Sequence, residues 1–175
     1  MVIFLSLLSG ILTALSFPKW NLFLLAWVSL VPFLVAMDRA GSLRRALDCG
    51  LVFGFAFFGI DLFWVLSLFR FAEWWAVLGW VLFVFFQTLY ILLFVILARR
   101  VKYRLVLVPF CWMLMEYLRA FGPFGVPAGD LGYSQVGFLP LVQIASLVSV
   151  YGISFLIVLV NVMITNVGTA LVAVR

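Results

Sequence analysis

The sequence predicts an all-α integral membrane fold: a bundle of about six transmembrane helices with a Gly/Pro-rich outer loop. Three observations carry that expectation. Of 175 residues, 68% are apolar and only 10% are charged, against roughly 45–50% and about 25% in soluble domains. The apolar residues gather into runs near the 20 or so that cross a bilayer. Most of the lysines and arginines fall in the connectors between those runs. A chain this short leaves much of its surface exposed, so its apolar excess requires lipid as solvent. In lipid an open strand would leave backbone groups unpaired, which makes the runs helices. The length fits one domain.

The spans are expected at about 2–17, 20–37, 46–69, 74–98, 105–121 and 141–162, the last running on toward Val174. The first is short. It lacks the basic leader and small-residue cleavage site of a signal peptide, and a second apolar run follows after only Pro18 and Lys19. A retained hairpin of two helices is therefore expected. The third span carries Gly50, Gly54 and Gly59, small residues that let helices approach closely. Trp74 and Trp75 open the fourth span and Trp20 opens the second, as interface-anchoring aromatics do. The fifth ends on Glu116 and Arg119. Three apart on a helix, these share a face and can pair. Gln87, Gln143 and Asn161 are single polar groups within spans, expected to hydrogen-bond between helices.

The segment from Gly122 to Pro140 is too rich in glycine and proline for a regular helix. Yet Val126, Leu131, Tyr133, Phe138 and Leu139 make it apolar for a loop. It should lie at the interface or fold back against the helices. The positive-inside rule sets the orientation. Arg39, Arg44, Arg45, Arg99, Arg100, Lys102, Arg104 and Arg175 fall on one side, and Lys19, Arg70 and Arg119 on the other. Both chain ends should then be cytoplasmic and loop 122–140 should face outward.

Several function classes drop out. The net charge of +5 arises in connectors, so topology explains it and nucleic-acid binding is not expected. Cys49 and Cys111 have no metal-ligand spacing and the chain has no histidine, so neither a metal nor another cofactor is expected. No cationic neighbour in sequence would lower the Cys111 pKa, and no catalytic constellation can be assembled.

Ionisable groups inside a membrane are costly and are the natural candidates for function. Asp61, beside Trp64 in Gly59-Ile-Asp-Leu-Phe-Trp64, lies about 22 Å beyond Ala46 at the helical rise. That depth is the outer third of span three. Two readings stay open: a carboxylate facing a cavity that takes a lipid headgroup or amine, or an interface group paired with Arg70 or Arg119. Glu116 and Arg119 divide in the same way, between a headgroup site and an intrahelical ion pair. A small transporter or channel built on Asp61 and Glu116 is the alternative function.

Three strings resemble the N-terminal membrane domain of bacterial apolipoprotein N-acyltransferase. They are Leu8-Ser-Gly-Ile-Leu-Thr-Ala-Leu-Ser-Phe-Pro18 with Trp20-Asn-Leu, then Trp112-Met-Leu-Met-Glu-Tyr-Leu-Arg119 with Gly132-Tyr-Ser-Gln135, then Val150-Tyr-Gly-Ile-Ser-Phe-Leu156. The resemblance implies phospholipid and lipoprotein substrates, the bacterial cytoplasmic (inner) membrane, and a role in lipoprotein maturation. It also implies Glu116, Arg119, Tyr133, Ser134 and Gln135 as a rim where substrates meet the catalytic domain. That domain is nitrilase-like in the family, with a Glu-Lys-Cys triad and a thioester intermediate. No position here matches the triad, so the chain is expected to be inactive alone; a fragment, a truncated gene product and a split-gene half with a separately encoded nitrilase-like partner stay open. The outer loop also departs: it reads Gly125-Val-Pro-Ala128 where the family often has Gly-Phe-Pro-Trp.

Overall fold

The computed structural model describes residues 1–121 and 125–173. Gly122, Pro123 and Phe124 of the loop lie outside the described residues, as do Val174 and Arg175, the terminal cation counted above. Every regular element among the described residues is helical. In chain order these are α1 (Val2–Leu15), α2 (Ala26–Ser29), α3 (Val31–Arg39), α4 (Leu43–Asp61), α5 (Phe69–Ala72), α6 (Trp74–Arg100), α7 (Arg104–Arg119), α8 (Leu139–Val142) and α9 (Ala145–Ala173). Tighter 3₁₀ turns occupy Phe23–Leu25, Leu62–Leu68 and Leu131–Gln135. Three stretches are long and apolar enough to cross a bilayer: Leu43–Ala72, Trp74–Arg100 and Ala145–Ala170. The chain is an all-α membrane protein.

α1 shows how the bundle is held. Its buried residues are Ser6, Ser9, Gly10, Thr13 and Ala14, one face at helical spacing. Its exposed residues include Ile3, Phe4, Leu7 and Leu8. Large apolar side chains thus face lipid while small and hydroxyl ones face protein. That is the pattern expected where lipid is as apolar as leucine and association depends on close packing. A Cβ on Gly10 would stand 2.7 Å from Phe53 O on α4, so only glycine permits this crossing. Gly50 and Gly54 do the same on α4, where added Cβ atoms would meet Val95 and Thr88 of α6 at 2.9 and 2.6 Å. The sequence expectation of close packing at these two glycines holds.

Neighbouring helices close a ring: α1 packs on α4, α4 on α6, α6 on α7, and α7 on α9, which returns to α2 and α3. Aromatic rings fill its centre. Phe33 stacks on Phe53 at 4.4 Å, and Trp112 meets Phe53 and Phe94 edge-on at 6.2 and 5.0 Å. Each such pair contributes about 0.5–1.5 kcal/mol beyond area burial.

The expected span 20–37 is not one helix. Asn21 takes a left-handed φ of 54°, and α2 and α3 meet at Leu30. The Asn161 side chain stands in that junction. Its Nδ2 donates to Ala26 O at 2.9 Å, and its Oδ1 accepts from Leu30 N at 2.9 Å. Within a regular helix those two backbone groups would bond each other. A side chain inserted into the ladder is a known cause of kinking, and Pro32 at the start of α3 has no N–H to continue it. The third stretch starts earlier than expected, at Leu43, because Ser42 Oγ caps it by accepting from Arg45 N at 3.3 Å. It tightens to 3₁₀ after Asp61. The last stretch opens with α8 and kinks at Ser149, φ 63°.

Candidate functional site

The loop 125–138 folds back among the helix ends, and each attachment traces to a named residue. Glu116 Oε1 accepts from Trp112 Nε1 at 2.7 Å and from Leu131 N at 2.8 Å. Arg119 forms a buried salt bridge with Asp130. Its guanidinium lies 5.0 Å from the Phe58 ring centre. Ser154 Oγ accepts from Gly132 N at 2.8 Å. Gln135 Oε1 accepts from Trp27 Nε1 at 3.2 Å, and its Nε2 donates to Phe23 O at 3.0 Å. Two glycines allow the close fit. Gly129 has φ 81° and lies against Phe57, Phe58 and Asp61, while a Cβ on Gly132 would stand 2.5 Å from Val150 O.

Glu116 and Arg119, for which an intrahelical ion pair is one of two sequence readings, do not bond each other. The reason is competition: Asp130 and the Leu131 amide come down from the loop and take one partner each. Glu116 and Arg119 are each 3% exposed and Asp130 is 0% exposed. Burial pushes the Asp130 carboxyl above its ordinary value, and the neighbouring Arg119 opposes that shift. Among the described residues, no hydrogen-bond partner reaches the buried Glu116 Oε2, Arg119 Nε or Asp130 Oδ2.

The residues expected to contact lipid or substrate separate into two sets. Ser134 and Gln135 are buried fasteners, with Ser134 Oγ donating to Leu131 O at 2.6 Å. They join Glu116 and Arg119 in holding the loop. Asp61, Trp64 and Tyr133 instead line one open cavity of about 660 Å³, with Lys19, Pro127 and Gly129. Asp61 forms no direct ion pair with Arg70 or Arg119 among the described residues. Lys19 also lines a second, apolar cavity of about 530 Å³ with Leu7, Phe55, Phe63 and Trp80. Its ammonium sits 5.3 Å from the Phe63 ring and 5.6 Å from the Trp20 ring, in reach of a cation–π attraction. A cation and a carboxylate thus border a largely apolar cleft, and the same cation borders an apolar groove. That combination suits a molecule with a charged head and an acyl tail.

Sequence reasoning missed Lys19, Asp130 and Ser154. Asp130 carried a signal. It is a carboxylate in an otherwise apolar loop, and such a charge needs a buried partner if the loop folds inward. Lys19 was counted only for topology. The polar groups within spans divide as well. Asn161 bonds between helices as expected, and Gln87 Nε2 donates to Val126 O of the loop at 3.4 Å, but Gln143 is exposed at the bend before α9.

Comparison with known proteins supplies the frame. Residues 9–163 match the family model described as the apolipoprotein N-acyltransferase N-terminal domain. The apolipoprotein N-acyltransferase of Geobacter metallireducens is 39% identical over 90% of this chain and 32% of its own length. That of Coxiella burnetii is 35% identical over 90% of this chain and 34% of its own. That of Thermotoga maritima is 32% identical over 92% and 34%. The chain therefore spans about a third of the length of these curated relatives.

Proposed function

We propose a function on the premise that this chain belongs to the apolipoprotein N-acyltransferase family, as its N-terminal domain. It is the membrane portion of that enzyme, and its part in N-acyl transfer is to present substrate rather than to perform the chemistry. The acyl donor is a phospholipid and the acceptor a lipoprotein, brought to a nitrilase-like domain that carries the Glu-Lys-Cys triad, in the same polypeptide or a separate one. The spans cross the bacterial inner membrane with residues 1 and 175 cytoplasmic and the loop outward. The single observation that carries this reading is the paired cleft. Lys19, Asp61, Trp64 and Tyr133 border the 660 Å³ cavity, and Lys19 is shared with the 530 Å³ apolar groove.

In this reading the buried set, Glu116, Arg119, Ser134 and Gln135, positions the loop and through it Tyr133. A phospholipid carrying a photoreactive acyl chain tests the assignment in nanodiscs. Crosslinks should map to Phe55, Phe63 or Trp80, and Lys19→Gln should reduce them several-fold. Crosslinks spread evenly over the outward faces of α1 and α6 would contradict the proposal. The transporter reading fares worse on the same geometry. Glu116 is fully buried under the loop and does not face the cavity that Asp61 lines.

A further inference from the structure

The end of the bundle opposite the loop holds a second polar cavity that the acyl-transfer reading does not use. It has a volume of about 460 Å³ and is lined by Asp38, Arg99, Arg104, Asn166 and Thr169, among others. A single water occupies about 30 Å³, so there is room for a headgroup. Four helices meet here. Arg99 is in the last turn of α6 and Arg104 opens α7. Asp38 closes α3, and Asn166 and Thr169 lie on the far half of α9.

We propose that this cavity binds the phosphate of an anionic phospholipid in the leaflet beside the basic connectors. The donors are suitably placed. Arg99 Nη1 donates to Met37 O at 2.9 Å, and Arg104 Nη1 pairs with Asp38 Oδ1 at 2.6 Å. A guanidinium carries five N–H donors in a planar fork, so each arginine keeps donors beyond the one that fastens α3. The forks match phosphate oxygens two at a time. Two guanidinium charges against one carboxylate leave the lining net positive. Exposed Arg39, Arg100 and Lys102 neighbour the lining residues in sequence, which adds attraction for an anionic surface. Basic pockets between helices at this level are a recognised way to hold anionic headgroups. Asp38 is the competing anion: it holds Arg104 when the site is empty and is repelled by a phosphate. The inference does not rest on the acyl-transfer reading.

The test uses the full chain purified in a non-ionic detergent. Binding of phosphatidylglycerol, phosphatidylcholine and inorganic phosphate is followed by native mass spectrometry. Phosphatidylglycerol should bind several-fold more tightly than phosphatidylcholine. Arg99→Gln and Arg104→Gln should each weaken it roughly fivefold, the equivalent of about 1 kcal/mol per basic group at an anionic surface. Asp38→Asn should tighten it, because Arg104 is then released to the ligand. A merely structural Arg104–Asp38 pair predicts no such gain, so unchanged or weaker binding by Asp38→Asn overturns the proposal. Equal affinity for the two lipids overturns it as well. Displacement of phosphatidylglycerol by low-millimolar inorganic phosphate overturns the lipid assignment. If the arginine variants fail to fold, the Asp38→Asn result and the lipid comparison on the unmodified chain still decide.

Discussion

At the residue scale the fastening of the loop depends on a few buried polar groups, and their costs are asymmetric. Glu116 Oε1 satisfies two donors, Trp112 Nε1 and Leu131 N. Glu116→Leu leaves both buried and unpaired, at about 1–3 kcal/mol for each orphaned group. Glu116→Gln keeps an acceptor oxygen and should cost much less. Thermal unfolding in detergent should therefore rank wild type, Glu116→Gln and Glu116→Leu in falling order, and equal melting temperatures for the two variants would contradict the assignment. The Arg119–Asp130 pair makes a sharper test. Removing either partner strands a buried charge, which costs about 3–5 kcal/mol, whereas replacing both with apolar residues is often close to neutral. Arg119→Met and Asp130→Leu should each lower stability strongly and the double variant should recover most of it, as a double-mutant cycle would show. Sequence alone singled out Glu116 and Arg119 because charge in a greasy helix is conspicuous. It could not assign the loop partners, Asp130 and the Leu131 amide, since these arrive 11 or more residues downstream. Helical spacing pointed to the nearer pairing, and tertiary structure supplied the better one.

At the element scale the long apolar helices were the most legible part of the chain. The expected 74–98 lies within the observed Trp74–Arg100, because an uninterrupted apolar run ending in two arginines leaves little choice of boundary. Stretch 20–37 is expected as one helix and is interrupted, because hydrophobicity reports burial in lipid, not helical continuity. What interrupts it is a single amide from a residue far away in sequence, Asn161. Asn161→Leu removes both bonds, taking the side-chain acceptor from Leu30 N and leaving Ala26 O with only Ser29 Oγ at 3.4 Å. We expect a loss of about 1–3 kcal/mol, read as a lower melting temperature with faster amide exchange confined to α2 and the start of α3. Exchange unchanged there would show that Pro32 alone sets the break. The glycine crossings obey a different rule. Gly10→Leu has nowhere to place its side chain against Phe53 O and Ala56 Cβ, so α1 must move away from α4. Overpacking of this kind costs about 1–3 kcal/mol, whereas Gly79→Leu, which meets nothing within 4 Å, should be nearly silent in the same assay.

At the scale of the whole molecule, two ends of one bundle have opposite characters. One end carries the inward-folded loop and the cleft of Lys19, Asp61, Trp64 and Tyr133. The other gathers the arginine-rich connectors around Asp38. Composition foretold this division: basic residues cluster in two connectors, and the glycine–proline segment follows the fifth apolar run. The cleft itself was only half legible. Asp61, Trp64 and Tyr133 were named, but nothing in their spacing says that a loop glycine, Gly129, lets the loop close over Asp61. The central claim, that the cleft faces outward and the connectors inward, can be read directly in cells. A chain with Cys49 and Cys111 replaced by alanine would carry one new thiol, from Tyr133→Cys or from Lys102→Cys, and be exposed to a membrane-impermeant maleimide. The account predicts labelling of the Tyr133→Cys chain in intact spheroplasts and of the Lys102→Cys chain only after the membrane is opened. The reverse pattern, or labelling of both in intact spheroplasts, would contradict it.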